Sequence, residues 1–447
     1  MPGALSTDLY ELTMAAGYHA AGNDAQASFE LFVRELPTGR SFLVAAGLEQ
    51  AVGYLEAWRF TLDDISYLRS LPELSGASSD FFDTYLPGLQ FTGDVWAVLE
   101  GVPVFAGEPI LRVTAPLAEA QLVETALLSI VLFQTLVASK AVRVVEAAAG
   151  RSVVEFGGRR AHGPEAALHA ARAAYLAGCQ ATSNVEAGSR FGIPVSGTMA
   201  HSWVMAHMDE LTAFARYTAV HGARSILLID TYDTVAAARL IVSAGLRPAA
   251  VRVDSGDLAG LSAAVRAVLD AGSLQETKIL VSGDLDEHRV AALVASGAPI
   301  DGFGVGTAVT TSADAPSLSG VYKLVAVERE SGMVPLAKLS PGKRTVPGEK
   351  QVWRVARSGE TQRDVVATAD ELGPPGGVPL LRRLMRRGVP TESAPALDAI
   401  RDRCRTAVAA LPDGVRRLTD AERFPVELSP DLDRLSRRVG GRDDQGP

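Results

Sequence analysis

The sequence predicts an α/β protein: a (β/α) barrel of seven to eight parallel strands, preceded by a separate domain and followed by a segment that returns to it. Three observations predict the barrel. Seven short apolar runs, SVVEFG, CQATS, IPVSGT, SILLID, AAVRVDSGD, KILVSGDLD and IDGFGVGT, follow one another between residues 152 and 307. Most are separated by alanine- and leucine-rich helical stretches such as PEAALHAARAAYLAG and LAGLSAAVRAVLDAG. Asp230, Asp254, Asp284 and Gly306 recur at intervals of roughly 22–30 residues, the length of a strand plus its return helix. Continuous apolar strands alternating with helices mean a parallel sheet covered by those helices. This many units in series favour a barrel over an open sheet.

Taken in order, residues 1–148 form the first domain. Ser6-Thr7-Asp8 opens an amphipathic helix whose apolar positions are Leu9, Leu12, Met14 and Tyr18. Residues 27–45 alternate as two strands around Pro37-Thr38-Gly39, with Arg34 and Arg40 flanking the turn. Val95–Ala115 reads as a three-run antiparallel meander, and Leu117–Ala149 as one long helix or two broken ones. The barrel occupies 149–328 and ends with VYKLVAV. Beyond it Gly, Pro and charge rise, and short strands appear at Gln351–Val355 and Asp364–Thr368. Residues 329–436 are expected to pack back on the first domain, and 437–447 to be a disordered tail.

At 447 residues the chain is too long for one compact core. Its composition, 47% hydrophobic and 21% charged, is that of a globular enzyme. A net charge of −9 argues against nucleic-acid and membrane-surface partners, which reward a basic face. An anionic substrate would need a local arginine cluster. Cys179 and Cys404 make neither a disulfide framework nor a zinc site, and no protein-held metal is expected. Asp8 and Glu11 stand where a signal peptide is uncharged. The most apolar run, Leu127–Phe133, is too short to span a bilayer, so a cytoplasmic location is expected.

In a parallel barrel the C-terminal strand ends share one mouth, where barrel enzymes keep their chemistry. In Gln180–His207 the small residues Gly197, Thr198 and Ala200 leave room for a ligand to approach the backbone, and His201 stands just past them. A lone histidine more often caps a strand or helix; its neighbours around the mouth reverse that preference. The SGD and GFGVGT loops, with Gly283, Gly304, Gly306 and Thr307, follow the last two strands, where barrels bind phosphate. Arg159 suits a planar carboxylate. Phe156 offers a face to a ring or packs in the core. Asp254 beside Arg252 binds ribose hydroxyls, offsets a cationic transition state, or forms a structural ion pair. GFGVGT is not G-x-G-x-x-G, no P-loop occurs, and Lys278 opens its strand at the wrong mouth for a Schiff base.

TDLYELTMAAGY, EFGGRRAHGP, SNVEAGSRFGIPVSGTMAHSW, LLIDTYDT, VDSGDL, DGFGVGT and VYKLVAV, in this order from about residue 6 to 328, together resemble nicotinate phosphoribosyltransferase. The resemblance implies an irregular (β/α) barrel with a mixed α+β second domain built from both chain ends. It implies an ATP-dependent enzyme, classed as a C–N bond-forming ligase of NAD biosynthesis. Such an enzyme joins nicotinate to phosphoribosyl pyrophosphate, giving nicotinate mononucleotide and pyrophosphate with coupled ATP hydrolysis. Mg²⁺ accompanies phosphoribosyl pyrophosphate and ATP, and a head-to-tail homodimer shares its active sites.

By the same resemblance His201 is the histidine that ATP phosphorylates, and with Asp254 it forms the catalytic pair. Phe156 and Arg159 match the ring-stacking and carboxylate-binding positions, and Tyr10 the tyrosine supplied by the neighbouring subunit. Ser183 stands where nicotinamide-using relatives carry an aspartate, which favours the acid as substrate. Arg252 and Asp254 match the ribose side, and Gly283, Gly304, Gly306 and Thr307 the 5′-phosphate loops. Arg34 and Lys323 match the pyrophosphate or ATP side. Cys404 alone cannot build the metal knuckle of some archaeal relatives. Two other readings stand beside this one. An ATP-independent quinolinate-type phosphoribosyltransferase would need further cations for a second carboxylate and has no use for GTMAHS. A non-catalytic pyridine-nucleotide-binding barrel is disfavoured by charged groups at nearly every strand end.

Overall fold

The strands at the two ends of the chain join in one sheet in the computed structural model, which describes residues 3–340 and 343–440. The chain divides into two units, Met1–Leu136 with Ser317–Pro447, and Val137–Pro316. In the first, seven strands run in the order Gly332–Pro335, Gly320–Arg329, Gln26–Val33, Pro109–Pro116, Asp94–Val98, Leu381–Arg386 and Val389–Pro390, every neighbour antiparallel. Gln26–Val33 is buried on both faces. Ala27, Leu31 and Val33 join the apolar core, while Glu30 is ion-paired to Lys350 at 2.8 Å. A second sheet pairs Gly377–Pro379, Lys350–Arg357, Glu360–Thr368 and Val426–Leu428.

Several expectations are corrected in this unit. VYKLVAV is not a barrel strand. It lies in Gly320–Arg329, which pairs antiparallel with Gln26–Val33 from Ala27↔Val327 to Val33↔Gly320, so the division falls before residue 317 rather than after 328. The earlier division falls inside the 24-residue helix Glu124–Ala147, where no turn signal marks it, rather than at 148. The expected meander is not formed. Asp94–Val98 pairs directly with Pro109–Pro116, leaving no gap for the middle run, and Pro103–Val104 pairs instead with Leu43–Val44. The two strands expected around Pro37-Thr38-Gly39 therefore sit in different sheets. Residues 437–439 continue the helix Pro430–Val439, while 441–447 lie outside the described residues.

Helix Glu124–Ala147 extends well beyond the apolar run Leu127–Phe133 and, among the described residues, is long and apolar enough to cross a bilayer. Yet 67% of its apolar window is buried within the protein. Its later turns carry Lys140 and Arg143, which meet Glu287 at 2.5 and 2.8 Å. Buried ions of this kind are tolerated where they are paired, which suits a core helix.

In the second unit six parallel strands run in the order Ala181–Thr182, Ser152–Glu155, Gly302–Val305, Lys278–Val281, Ala250–Val253 and Ile226–Leu228. The sheet curls into a half-barrel. The count is six rather than seven to eight, because IPVSGT contributes only one parallel bridge, Thr182↔Val195. Pro194 has no N–H to extend the ladder. The strands are short, and Val251, Val253, Ile279, Val281 and Val305, at alternate positions that share one face, are fully buried, while Arg252 stands on the other. Helices return outside them, and their first turns are capped by side chains. Asn184, Asp209, Asp233, Asp257 and Asp286 each accept from a backbone N–H three residues on. The acidic residues after the strands thus divide: Asp233, Asp257 and Asp286 start helices, and Asp230 and Asp254 remain at the mouth.

Candidate active site

The C-terminal strand ends open on one cavity of about 430 Å³. Phe156, Arg159, Ser183, His201, Arg252, Asp254, Gly283, Gly304, Gly306 and Thr307 all line it, joined by Arg160, Thr198, Ser282 and Asp284. Tyr10, Arg34 and Lys323 belong to the other unit. There Tyr10 is 46% exposed, and Lys323 donates to the Tyr322 carbonyl at 2.8 Å and lies 3.7 Å from Glu124. Arg34 Nε is buried without a hydrogen-bond partner among the described residues.

Arg252 organises the cavity floor. Its guanidinium donates to Ser282 Oγ, Thr198 Oγ1 and Asp254 Oδ1, each at 2.8 Å, and lies 5.5 Å from the centre of the Phe156 ring. Burial alone would raise the Asp254 carboxyl. The Ser282 hydroxyl and the Arg252 guanidinium, helped by His201, outweigh it and hold Asp254 below the usual aspartate range. Asp254 is therefore a fixed anion at neutral pH. Its backbone N–H donates to Asp230 Oδ2 at 2.9 Å, and Asp230 Oδ1 is buried with no hydrogen-bond partner among the described residues.

Two glycines are required by what lies against them. Gly283 has φ +100, and a Cβ there would fall 2.1 Å from the Asp254 carbonyl oxygen. A Cβ on Gly304 would fall 2.7 Å from the edge of the Phe156 ring. Gly304 thus seats the aromatic ring, a packing reason that stands beside the expected phosphate loop.

His201 is the first residue of the helix His201–Met205, and its Nδ1 lies 3.2 Å from Thr231 Oγ1. A hydroxyl, not a carboxylate, orients the imidazole. Ser183 is exposed, with its N–H donating to the Glu155 carbonyl at 2.9 Å. Arg160 spans the rim, donating to Asp284 Oδ1 and Thr307 Oγ1 at 3.1 Å each. Arg159 is exposed, and its guanidinium has no hydrogen-bond partner among the described residues.

Sequence reasoning missed the hydroxyls Ser282 and Thr231 and the carboxylate Glu155, and read Thr198 only as a small residue. Small polar residues at strand ends give no signal of their direction. Glu155 did leave one: it is a charge closing an otherwise apolar run. Among the described residues no cluster of three or more His, Cys, Asp or Glu stands ready for a metal ion.

Three family models match the chain: the nicotinate phosphoribosyltransferase N-terminal domain over residues 5–132, the nicotinate phosphoribosyltransferase family over 151–340, and its C-terminal domain over 377–436. A nicotinate phosphoribosyltransferase of Mycobacterium tuberculosis is 47% identical over 435 residues, covering 96% of this chain and 92% of that protein. One from Bacillus subtilis is 46% identical over 380 residues, covering 82% and 76% respectively. The crystal structure of human nicotinic acid phosphoribosyltransferase matches with a TM-score of 0.85 at 31% identity, over 97% of this chain and 99% of that chain.

Proposed function

The chain belongs to the nicotinate phosphoribosyltransferase family, and from that membership we propose how its cavity carries the reaction. The enzyme joins nicotinate to phosphoribosyl pyrophosphate, giving nicotinate mononucleotide and pyrophosphate. Arg159 holds the nicotinate carboxylate, and the pyridine ring lies against Phe156, where each stacking face contributes about 1–3 kcal/mol. The neighbouring subunit's copy of Tyr10 covers the other face. Ser183 faces the acid without the carboxylate that an amide would favour. The pyridine nitrogen attacks ribose C1, and the C1–O bond breaks with its electron pair leaving on pyrophosphate. Positive charge develops at the ribose ring, where the Asp254 anion, fixed by Arg252, offsets it. Thr307, Gly283, Gly304 and Gly306 receive the 5′-phosphate, and Arg34 and Lys323 serve the pyrophosphate or ATP phosphates.

One observation supports nicotinate over quinolinate. Among the described residues the cavity's three arginines are unequally committed: Arg252 to Asp254, Ser282 and Thr198, and Arg160 to Asp284 and Thr307. That leaves one open guanidinium, Arg159, for one carboxylate.

Turnover is coupled to ATP through His201. With Nδ1 held by Thr231, Nε2 takes the terminal phosphoryl group: the N–P bond forms as ADP leaves, and water later breaks it to release phosphate. Phosphorylation adds about two negative charges, by analogy with other phosphorylated residues. It improves binding only by as much as it favours the competent state. Mg²⁺ carried by the substrate phosphates would need one or two carboxylates from the protein. Asp230, with its unpartnered oxygen, and Asp254 are the groups that fit. When bound, the ion helps pyrophosphate leave. The protein works in the cytoplasm as a homodimer.

The test is purified protein with nicotinate, phosphoribosyl pyrophosphate and Mg²⁺, with and without ATP, following nicotinate mononucleotide and ADP. ATP is expected to accelerate transfer. His201→Ala is expected to lose both ATP stimulation and ATP hydrolysis while slow transfer persists. Unchanged coupling in that variant removes His201 from the role.

A further inference from the structure

Glu155 ends the strand Ser152–Glu155, directly before Phe156, and is 1% exposed. Its carboxylate accepts from donors on three rim segments. Oε1 accepts from the Gly157 N–H and from Thr310 Oγ1 at 3.0 Å, and Oε2 from Thr182 Oγ1 at 2.6 Å. A buried carboxylate is costly unless donors converge on it, and once they do the bonds are short and strong. The packing repeats the message: a Cβ on Gly157 would fall 1.7 Å from Thr310 Oγ1 and 2.9 Å from Glu155 Oε1. The turn that carries Arg159 is therefore seated on this carboxylate. Four of the other barrel strands end in Leu228, Val253, Val281 and Val305, so the sheet itself does not call for an acid at this place.

We propose that Glu155 is a positioning residue for the acid substrate. Its carboxylate fixes the Phe156–Arg159 turn against the Thr182 and Thr310 segments, and so places the ring face and the arginine fork together. A carboxylate suits this because it only accepts, which orients all three donors toward one point. An amide keeps one accepting oxygen and sets an N–H₂ against the Thr182 hydroxyl, whose proton then loses its acceptor. The inference rests on the assignment of Phe156 and Arg159 to nicotinate given above.

The test uses full-length Glu155→Gln and Thr310→Val, with two measurements on each. In steady-state kinetics Glu155→Gln is expected to raise KM for nicotinate about tenfold, as loss of a bond to a charged group does. KM for phosphoribosyl pyrophosphate should rise less, because Phe156–Arg159 follows Glu155 directly while Thr310 reaches the phosphate loop only from the far end of the helix Thr307–Thr310. Thr310→Val keeps the carboxylate and removes one donor, so it keeps the question open to measurement if Glu155→Gln does not fold. A rise of about threefold for nicotinate is expected there. In the ligand-free protein, amide hydrogen exchange across residues 156–160 should quicken by about fivefold or more in both variants. Unchanged exchange, or an equal loss for both substrates, overturns the proposal, as does faster exchange with an unchanged nicotinate KM. In the last case Arg159→Ala locates the fault. If it too leaves nicotinate KM unchanged, the assignment of Arg159 has failed; if it raises KM, the link from tether to substrate has failed.

Discussion

Arg159, Arg160 and Arg252 carry the same charge and differ in what already holds them. Arg252 is spent on the floor and Arg160 on the rim, which leaves Arg159 to meet a ligand. Arg159→Ala should therefore raise KM for nicotinate roughly 10- to 100-fold, the worth of a charge-assisted pair of about 1.5–3 kcal/mol. KM for phosphoribosyl pyrophosphate should move little, and steady-state kinetics with each substrate varied in turn checks this. Equal losses would contradict the carboxylate assignment. The residues that line the cavity were legible because charges and glycines at strand ends stand out against apolar runs. Their division of labour was not legible. It depends on side chains such as Thr198, Ser282 and Thr231, whose directions are set by packing between segments far apart in the chain.

At the level of single elements, the helix Leu9–Ala20 carries a buried acid on its inner side. Glu11 accepts hydrogen bonds from Thr7 and Thr125, yet burial, with Glu124 and Asp8 nearby, lifts its pKa to about 7. The unfolded chain releases that proton near 4.5 and the folded chain only near 7, so the folded state binds more protons in between. The stability this gives is full below pH 4.5 and lost as pH rises to about 7. Glu11→Gln should flatten the fall in stability between pH 5 and 8, measured by urea unfolding at each pH. An unaltered slope would discard the idea. Asp233, Asp257 and Asp286 each start a helix for a local reason, a capping acid, but the helices were legible from their alanine- and leucine-rich stretches and not from these caps. Strand partners were less so. Both IPVSGT and VYKLVAV are apolar enough for a barrel, and only their distant partners decide that one makes a single bridge and the other joins Gln26–Val33.

For the whole molecule, a homodimer in which Tyr10 serves a neighbour's site makes a prediction that no single chain can satisfy. At nicotinate far below their raised KM, where each is nearly inactive, Tyr10→Ala and Arg159→Ala proteins should regain about a quarter of wild-type activity when unfolded together and refolded as a mixture, because half of random dimers would hold one intact site. No recovery, with mixed dimers demonstrated by mass, would place Tyr10 outside a shared site. The barrel region was legible because its periodicity is local, whereas the first unit is assembled from segments separated by residues 137–316. That discontinuity bears on biosynthesis. Gln26–Val33 emerges from the ribosome early, but one of its two edges belongs to Gly320–Arg329. At roughly 5–20 residues per second, that edge stays open for on the order of 15–60 s. An open strand edge invites pairing with other nascent chains, so yield in the cell should depend on chaperone capacity. Moving the chain termini by circular permutation, so that the two strands are made in succession, should relieve that dependence.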